Sequence, residues 1–182
     1  MALSDLPDDL PVPEDDGACD HLEGMKTPEI TLHSTHNEEI NIGTLSGHTV
    51  IYIYPMTGQP NVALPEGWND IPGARGCTPQ SCSFRDLHED LNKHAKIYGL
   101  SSQDSDYQRE AKQRLHLPFE LLSDSGFLLK QALTLPTFTL DAIERYKRLT
   151  LILKDNTIKK VFYPVFPPDS NAGEVLDWFE KL

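Results

Sequence analysis

"PGARGCTPQSCSFRD", residues 72–86, sets Cys77 and Cys82 five positions apart, between a glycine-rich approach and a segment of helical period. Phe84, Leu87, Leu91 and Ala95 recur at that period, which predicts Cys82 inside a helix and Cys77 at or just before its first turn. The spacing is neither the Cys-x-x-Cys of a redox loop nor part of a zinc ligand set, which wants a second cysteine pair or helically spaced histidines. A catalytic thiol works as its thiolate, and a helix N-terminus favours an anion through its dipole and free N–H groups. A thiolate at Cys77 could attack the O–O bond of a peroxide to give a sulfenic acid, and Cys82 could condense with it.

Geometry limits that second step. Positions i and i+5 of an intact helix lie about 8 to 9 Å apart between Cα atoms, and a disulfide tolerates at most about 7 Å. The pair can close only if the first helical turn unwinds, so it reads as a switch and not as a static staple. On spacing alone an equally good reading is two separate small core residues, because free cysteine is often simply buried.

Ahead of the cysteines, "TVIYIYP" (49–55) is a β-branched and aromatic run ended by Pro55, a buried strand. It feeds "MTGQPNVALPEGWNDIPGARG" (56–76), a long loop rich in Gly and Pro, and such loops inside compact domains tend to be functional. Behind the cysteines, "AKIYGLSS" and "FELLSD" read as strands, and "SGFLLKQAL" as a short helix. "SDYQREAKQRLH" reads as a helix opened by a capping box of Ser105 and Gln108. "LTLILKDNTIKKVFY" is two strands joined at Asp155 and Asn156, and "NAGEVLDWFEKL" places Val175, Leu176, Phe179 and Leu182 on one helical face. Alternating strands and helices, then a hairpin and a last helix, predict an α/β fold with a mixed central sheet flanked by helices.

The 182 residues suit one domain. Residues 1–23 hold no Lys or Arg, several acidic residues, and prolines at 7, 11 and 13, so they read as an acidic Pro-rich arm before a domain spanning 24–182. The formal charge of -12 argues against nucleic acid and anionic membranes as partners, and no apolar run is long enough to span a bilayer. Three cysteines are too few for a secreted disulfide scaffold, and the start has neither a basic nor an apolar leader region, so the chain is expected to be cytoplasmic. His33 with His36, and His88 with His94, lack metal-ligand spacing, and no metal is expected. Cys19 reads as a spectator, and Arg85 with Asp86 as a local charge pair.

"GCTPQSCSFRD" resembles the active-site segment of the Q-type peroxiredoxins, also called bacterioferritin comigratory proteins. "GMKTPEITL", "VIYIYP", "YGLSSQDSDYQREAKQRLHLPFELLSD" and "KRLTLILKDNTIKKVFY" resemble further blocks of that family in the same order, over most of the chain from about Gly24. The resemblance implies a thioredoxin-like fold, Cys77 as the peroxidatic and Cys82 as the resolving cysteine, and Arg148 as the residue that stabilises the thiolate and polarises the peroxide. Pro55 and Gly76 fall where the family lines its substrate site. The implied substrates are hydrogen peroxide or organic hydroperoxides, with a thioredoxin- or glutaredoxin-type dithiol as reductant, no cofactor, and a monomer or weak homodimer.

One departure stands out. The family pattern Pro-x-x-x-Thr-x-x-Cys is broken by an insertion at 58–71, and Ala74 stands three before Cys77 where the threonine belongs. Thr57 could supply that hydroxyl if the insertion loops out, and Trp68 could wall the site or anchor the loop. The competing readings are a thioredoxin-like disulfide oxidoreductase, disfavoured by the missing Cys-x-x-Cys, and a non-catalytic binding module on the same fold.

Overall fold

The computed structural model describes residues 2–182. Its centre is β3 (His48–Ile53), the apolar run before Pro55. With period 2, Ile51 and Ile53 enter one core cluster, while Val50 and Tyr52 enter the other on the opposite face. β3 pairs in parallel with β4 (Lys96–Ser101), and β4 in parallel with β5 (Glu120–Ser123). The antiparallel members are β1 (Thr31–Ser34), β2 (Glu39–Asn41), β8 (Leu149–Lys154) and β9 (Thr157–Phe162), giving the order β2-β1-β5-β4-β3-β8-β9. A separate hairpin joins β6 (Thr137–Leu140) to β7 (Ile143–Tyr146); the sequence reading does not contain it.

Helices cover both faces of this mixed sheet, as expected. α4 (Leu128–Leu133) lays Leu129 and Leu133 on the face of Ile51. The other face receives Phe84 of α1 (Cys77–Asp86), Leu91 of α2 (His88–Leu91), Leu115 of α3 (Ser105–Leu115), and Val175 and Phe179 of α5 (Asn171–Glu180).

Three local expectations change. The apolar period from Phe84 to Ala95 is not one helix: the chain turns at Leu87 (φ -98°, ψ 6°) and restarts as α2. The capping box at Ser105 does not form, because Asp104 is the cap and accepts from Tyr107 N, while Gln108 turns inward to Ser101 Oγ (2.7 Å) and Leu122 O (3.0 Å). Leu182 lies beyond α5 and is exposed. The Asp155–Asn156 turn is as read, both residues having positive φ.

The acidic arm, read as extended, instead runs through turns closed by bonds such as Asp5 N to Ala2 O and Leu22 N to Cys19 O, and it packs onto the body. Cys19 and Leu22 enter the core, His21 Nε2 meets Leu133 O at 2.7 Å, and Asp16 accepts from Tyr163 Oη (2.9 Å) and Lys147 Nζ (3.3 Å). Nearer the start, the Ala2 and Asp5 carbonyls each accept from Arg75 Nη2 at 3.1 Å.

Asp124 ties α4 to β7. Buried, it accepts from Leu128 N (2.8 Å), Leu129 N (2.9 Å) and Tyr146 Oη (2.6 Å), which caps a helix that begins without a side-chain cap of its own. Asp124→Ala leaves these donors without partners and is expected to lower stability by about 2 to 3 kcal/mol, read as a reduced urea midpoint at unchanged slope.

Candidate active site

The long loop after β3 delivers the chain to α1 through Gly76, at φ 116°. A Cβ there would sit 2.5 Å from Pro168 Cγ and 3.0 Å from Leu6 Cδ2, so glycine is required by both backbone and packing. Cys77 is the first residue of α1 and is buried. Helix formation thus points the free N–H groups and dipole of the first turn at the thiol.

Arg148 enters from the residue before β8 and places Nη2 at 3.2 Å from Cys77 Sγ. The guanidinium is 3% exposed and held by neutral acceptors: Gly73 O (3.2 Å), Ala74 O (3.0 Å) and Gln80 Oε1 (2.5 Å). Among the described residues no carboxylate pairs with it. A buried cation without an anion is costly, and a thiolate at Cys77 supplies the missing charge at hydrogen-bond distance. When protonated, the thiol has Ala74 O at 3.8 Å as acceptor.

Gln80 is the positioning residue that the sequence reading missed. One turn after Cys77, it accepts from Arg148 and donates to Asn171 Oδ1 (3.0 Å), which also accepts from Thr150 Oγ1 (2.7 Å), so α1, β8 and α5 hold the arginine jointly. Its signal was a glutamine at i+3 from the cysteine.

Above Cys77 lies a small cavity of about 10 Å³, lined by Leu3, Gly58, Leu64, Trp68, Arg75 and Thr78, with Met56 and Gly76. That is room for about one water. Gly76 lines this cavity, whereas Pro55 lines a different cavity of about 440 Å³ with Gln103 and Arg145. Thr57 is buried, but its Oγ1 lies 3.5 Å from Gln103 Oε1 and it does not line the Cys77 cavity. Trp68 lines the cavity and packs on Phe138 (5.8 Å) with Arg145 over its ring (5.2 Å).

Cys82 is half-buried in α1, and burial raises its thiol above the usual range against an opposing effect of Arg85. All three cysteines are free. Arg85 pairs with Asp86 at 2.9 Å, as read, and also donates to Leu115 O. His94 stacks on Phe179 and His88 tilts against Phe119, and among the described residues no group of three His, Cys, Asp or Glu could hold a metal. No described helix is long and apolar enough to cross a membrane.

The family model described as Redoxin matches residues 22–176. The chloroplastic peroxiredoxin Q of Suaeda salsa is 29% identical over 163 residues, covering 88% of this chain and 68% of that protein. That of Oryza sativa subsp. japonica is 28% identical, covering 87% and 67%. Among solved structures, peroxidoxin BcpB from Mycobacterium tuberculosis matches with TM-score 0.72 at 20% identity over 89% of this chain and 99% of that one. The bacterioferritin comigratory protein of Xanthomonas campestris matches with TM-score 0.70 at 20% identity over 88% and 97%. These likenesses establish the thioredoxin-like fold.

Burial, then Asp16, Asp15 and Asp20, push the Cys19 thiol up to about 12. At pH 8 Cys19 is therefore expected to stay unmodified by iodoacetamide in the folded protein, while the unfolded chain reacts at all three cysteines; peptide mapping reads the difference.

Proposed function

The chain belongs to the Redoxin family, and on that premise we propose that it is a thiol-dependent peroxidase with Cys77 as its nucleophile. The observation that carries the reading is the 3.2 Å contact between Cys77 Sγ and the buried guanidinium of Arg148, which has no carboxylate partner among the described residues. The thiolate attacks the terminal oxygen of a hydroperoxide ROOH. An S–O bond forms as the O–O bond breaks, the sulfur becomes a sulfenic acid, and the alkoxide (hydroxide when R is H) leaves and takes a proton from water. Sulfur loses two electrons and the peroxide gains them.

Cys82 then resolves the intermediate: its sulfur displaces the sulfenic hydroxyl, which leaves as water with the Cys82 proton, and a disulfide joins the two residues. A thioredoxin- or glutaredoxin-type dithiol returns two electrons and two protons. That cycle requires a compartment that keeps thiols reduced, for which the cytoplasm is proposed.

Closing the disulfide means opening α1, and the ties to be broken are identifiable. Gln80 is held by Arg148 and Asn171, Ser81 Oγ lies 3.0 Å from Tyr52 Oη, Ser83 donates to Asp169 O (2.8 Å), and Phe84 stacks on Tyr52 at 4.5 Å. The reduced state is thereby kept helical, and the sulfenic acid has time to form before Cys82 arrives.

Stopped-flow oxidation by hydrogen peroxide tests the reading. Cys77→Ser is expected to abolish peroxide consumption, because a serine hydroxyl is not ionised near neutrality; turnover comparable to the parent would sink the assignment. Cys82→Ser should consume one equivalent and stall as the sulfenic acid. Arg148→Ala should slow attack by about 10²- to 10³-fold. In the parent, oxidation should speed amide exchange over residues 77–85 and leave β8 and β9 unchanged; equal exchange in both redox states would exclude the unwinding step.

A further inference from the structure

Arg148 is seated against the sulfur of Cys77, and no group described above is seated where the far oxygen of a bound peroxide would lie. The threonine position is Ala74, and the Thr57 hydroxyl meets Gln103 Oε1 at 3.5 Å, with Thr57 not lining the cavity. We propose that Arg75 is a further catalytic residue, whose Nε–H binds the leaving oxygen of the peroxide over Cys77. This rests on the peroxidase reading above.

The argument begins with an incomplete set of hydrogen bonds. Arg75 is 7% exposed, yet its Nε is buried without an acceptor. The other buried side-chain donors without a partner among the described residues are Tyr54 Oη and Asn171 Nδ2, and neither residue lines the Cys77 cavity, whereas Arg75 does. A buried donor left unmade costs free energy, and such a group is retained where a ligand will complete it.

The rest of the guanidinium is fixed in place. Nη1 donates to Asn69 Oδ1 (3.2 Å) from the insertion, and Nη2 donates to Ala2 O and Asp5 O from the arm. All of these acceptors are neutral, and among the described residues no carboxylate pairs with Arg75. The arm and the insertion thus both contact this one side chain.

Two guanidinium groups then divide the reaction. In attack, negative charge leaves Sγ and builds on the departing oxygen as the O–O bond breaks. Arg148 meets the charge where it starts, and Arg75 meets it where it arrives. A donor already oriented and desolvated stabilises that developing charge without reorganising. The proton for the released alkoxide still comes from water, since arginine does not give up its own.

The test compares two reactions of Cys77 in the full chain: oxidation by hydrogen peroxide, and alkylation by iodoacetamide, whose leaving iodide is a poor hydrogen-bond acceptor. Arg75→Met is expected to slow peroxide oxidation by about 10- to 100-fold while alkylation stays within about twofold of the parent. Arg75→Lys keeps the charge and can still reach the arm carbonyls but has no Nε–H; it guards against misfolding of the first variant and should remain at least about tenfold slow toward peroxide with parent-like alkylation. A peroxide rate within twofold of the parent in Arg75→Lys overturns the proposal. So does an equal fall in both reactions, which would place the effect on the thiolate or on the fold. A parent protein that does not react with peroxide at all would instead remove the peroxidase reading itself.

Discussion

A positive charge buried without a counter-ion organises this molecule. Arg148 stands immediately before β8, an inner strand of the sheet, and the neutral oxygens of Gly73, Ala74 and Gln80 hold its guanidinium beside Cys77. The sheet order matters because β3 and β8 are neighbours: β3 launches the loop that returns as α1, and β8 is preceded by the arginine. Fold and chemistry meet at that pairing. Without it, neither the helix start nor the cation would find the other.

The same site reverses the character of the chain. The whole protein carries 28 acidic against 16 basic residues, yet the buried arginines 75, 145 and 148 gather around the loop that covers Cys77 and its neighbour cavity. Desolvated cations act over short range with little screening, whereas the acidic surface is damped by salt within about a Debye length of 8 to 10 Å. The net charge therefore bears on solubility and partner choice, and the local charge bears on the reaction.

The elements legible in the sequence are those whose signal is local. β3 follows from its β-branched run, the β8–β9 turn from Asp155 and Asn156, and α5 from the period of Val175 and Phe179. The start of α1 was readable from the helical recurrence of Phe84 and Leu87 behind a glycine-rich approach, although that period runs on past the turn at Leu87 into α2. What escaped depends on distant chain. Gln108 has the spacing of a cap but is drawn inward by Ser101 and Leu122. Cys19 sits in an acidic segment and is buried only because Leu22 carries that segment into the core. Arg75 gave no sign of its place, since two of its three partners are main-chain oxygens from residues 2 and 5, and a carbonyl has no letter in a sequence.

The pinned arm also has a consequence for how the molecule is made. Residues 2–23 leave the ribosome before the segments they bind, which lie far downstream: Arg75 for Ala2 and Asp5, Leu133 for His21, Lys147 and Tyr163 for Asp16. Nascent chain emerges at about 5 to 20 residues per second, so the arm waits seconds, solvated by its own acidic residues, until the last strands exist. The loop it closes by joining Tyr163 is among the longest in the chain, and long-range closure comes late in folding. The wall above Cys77 is thus completed by a segment synthesised before its partners, once they have folded.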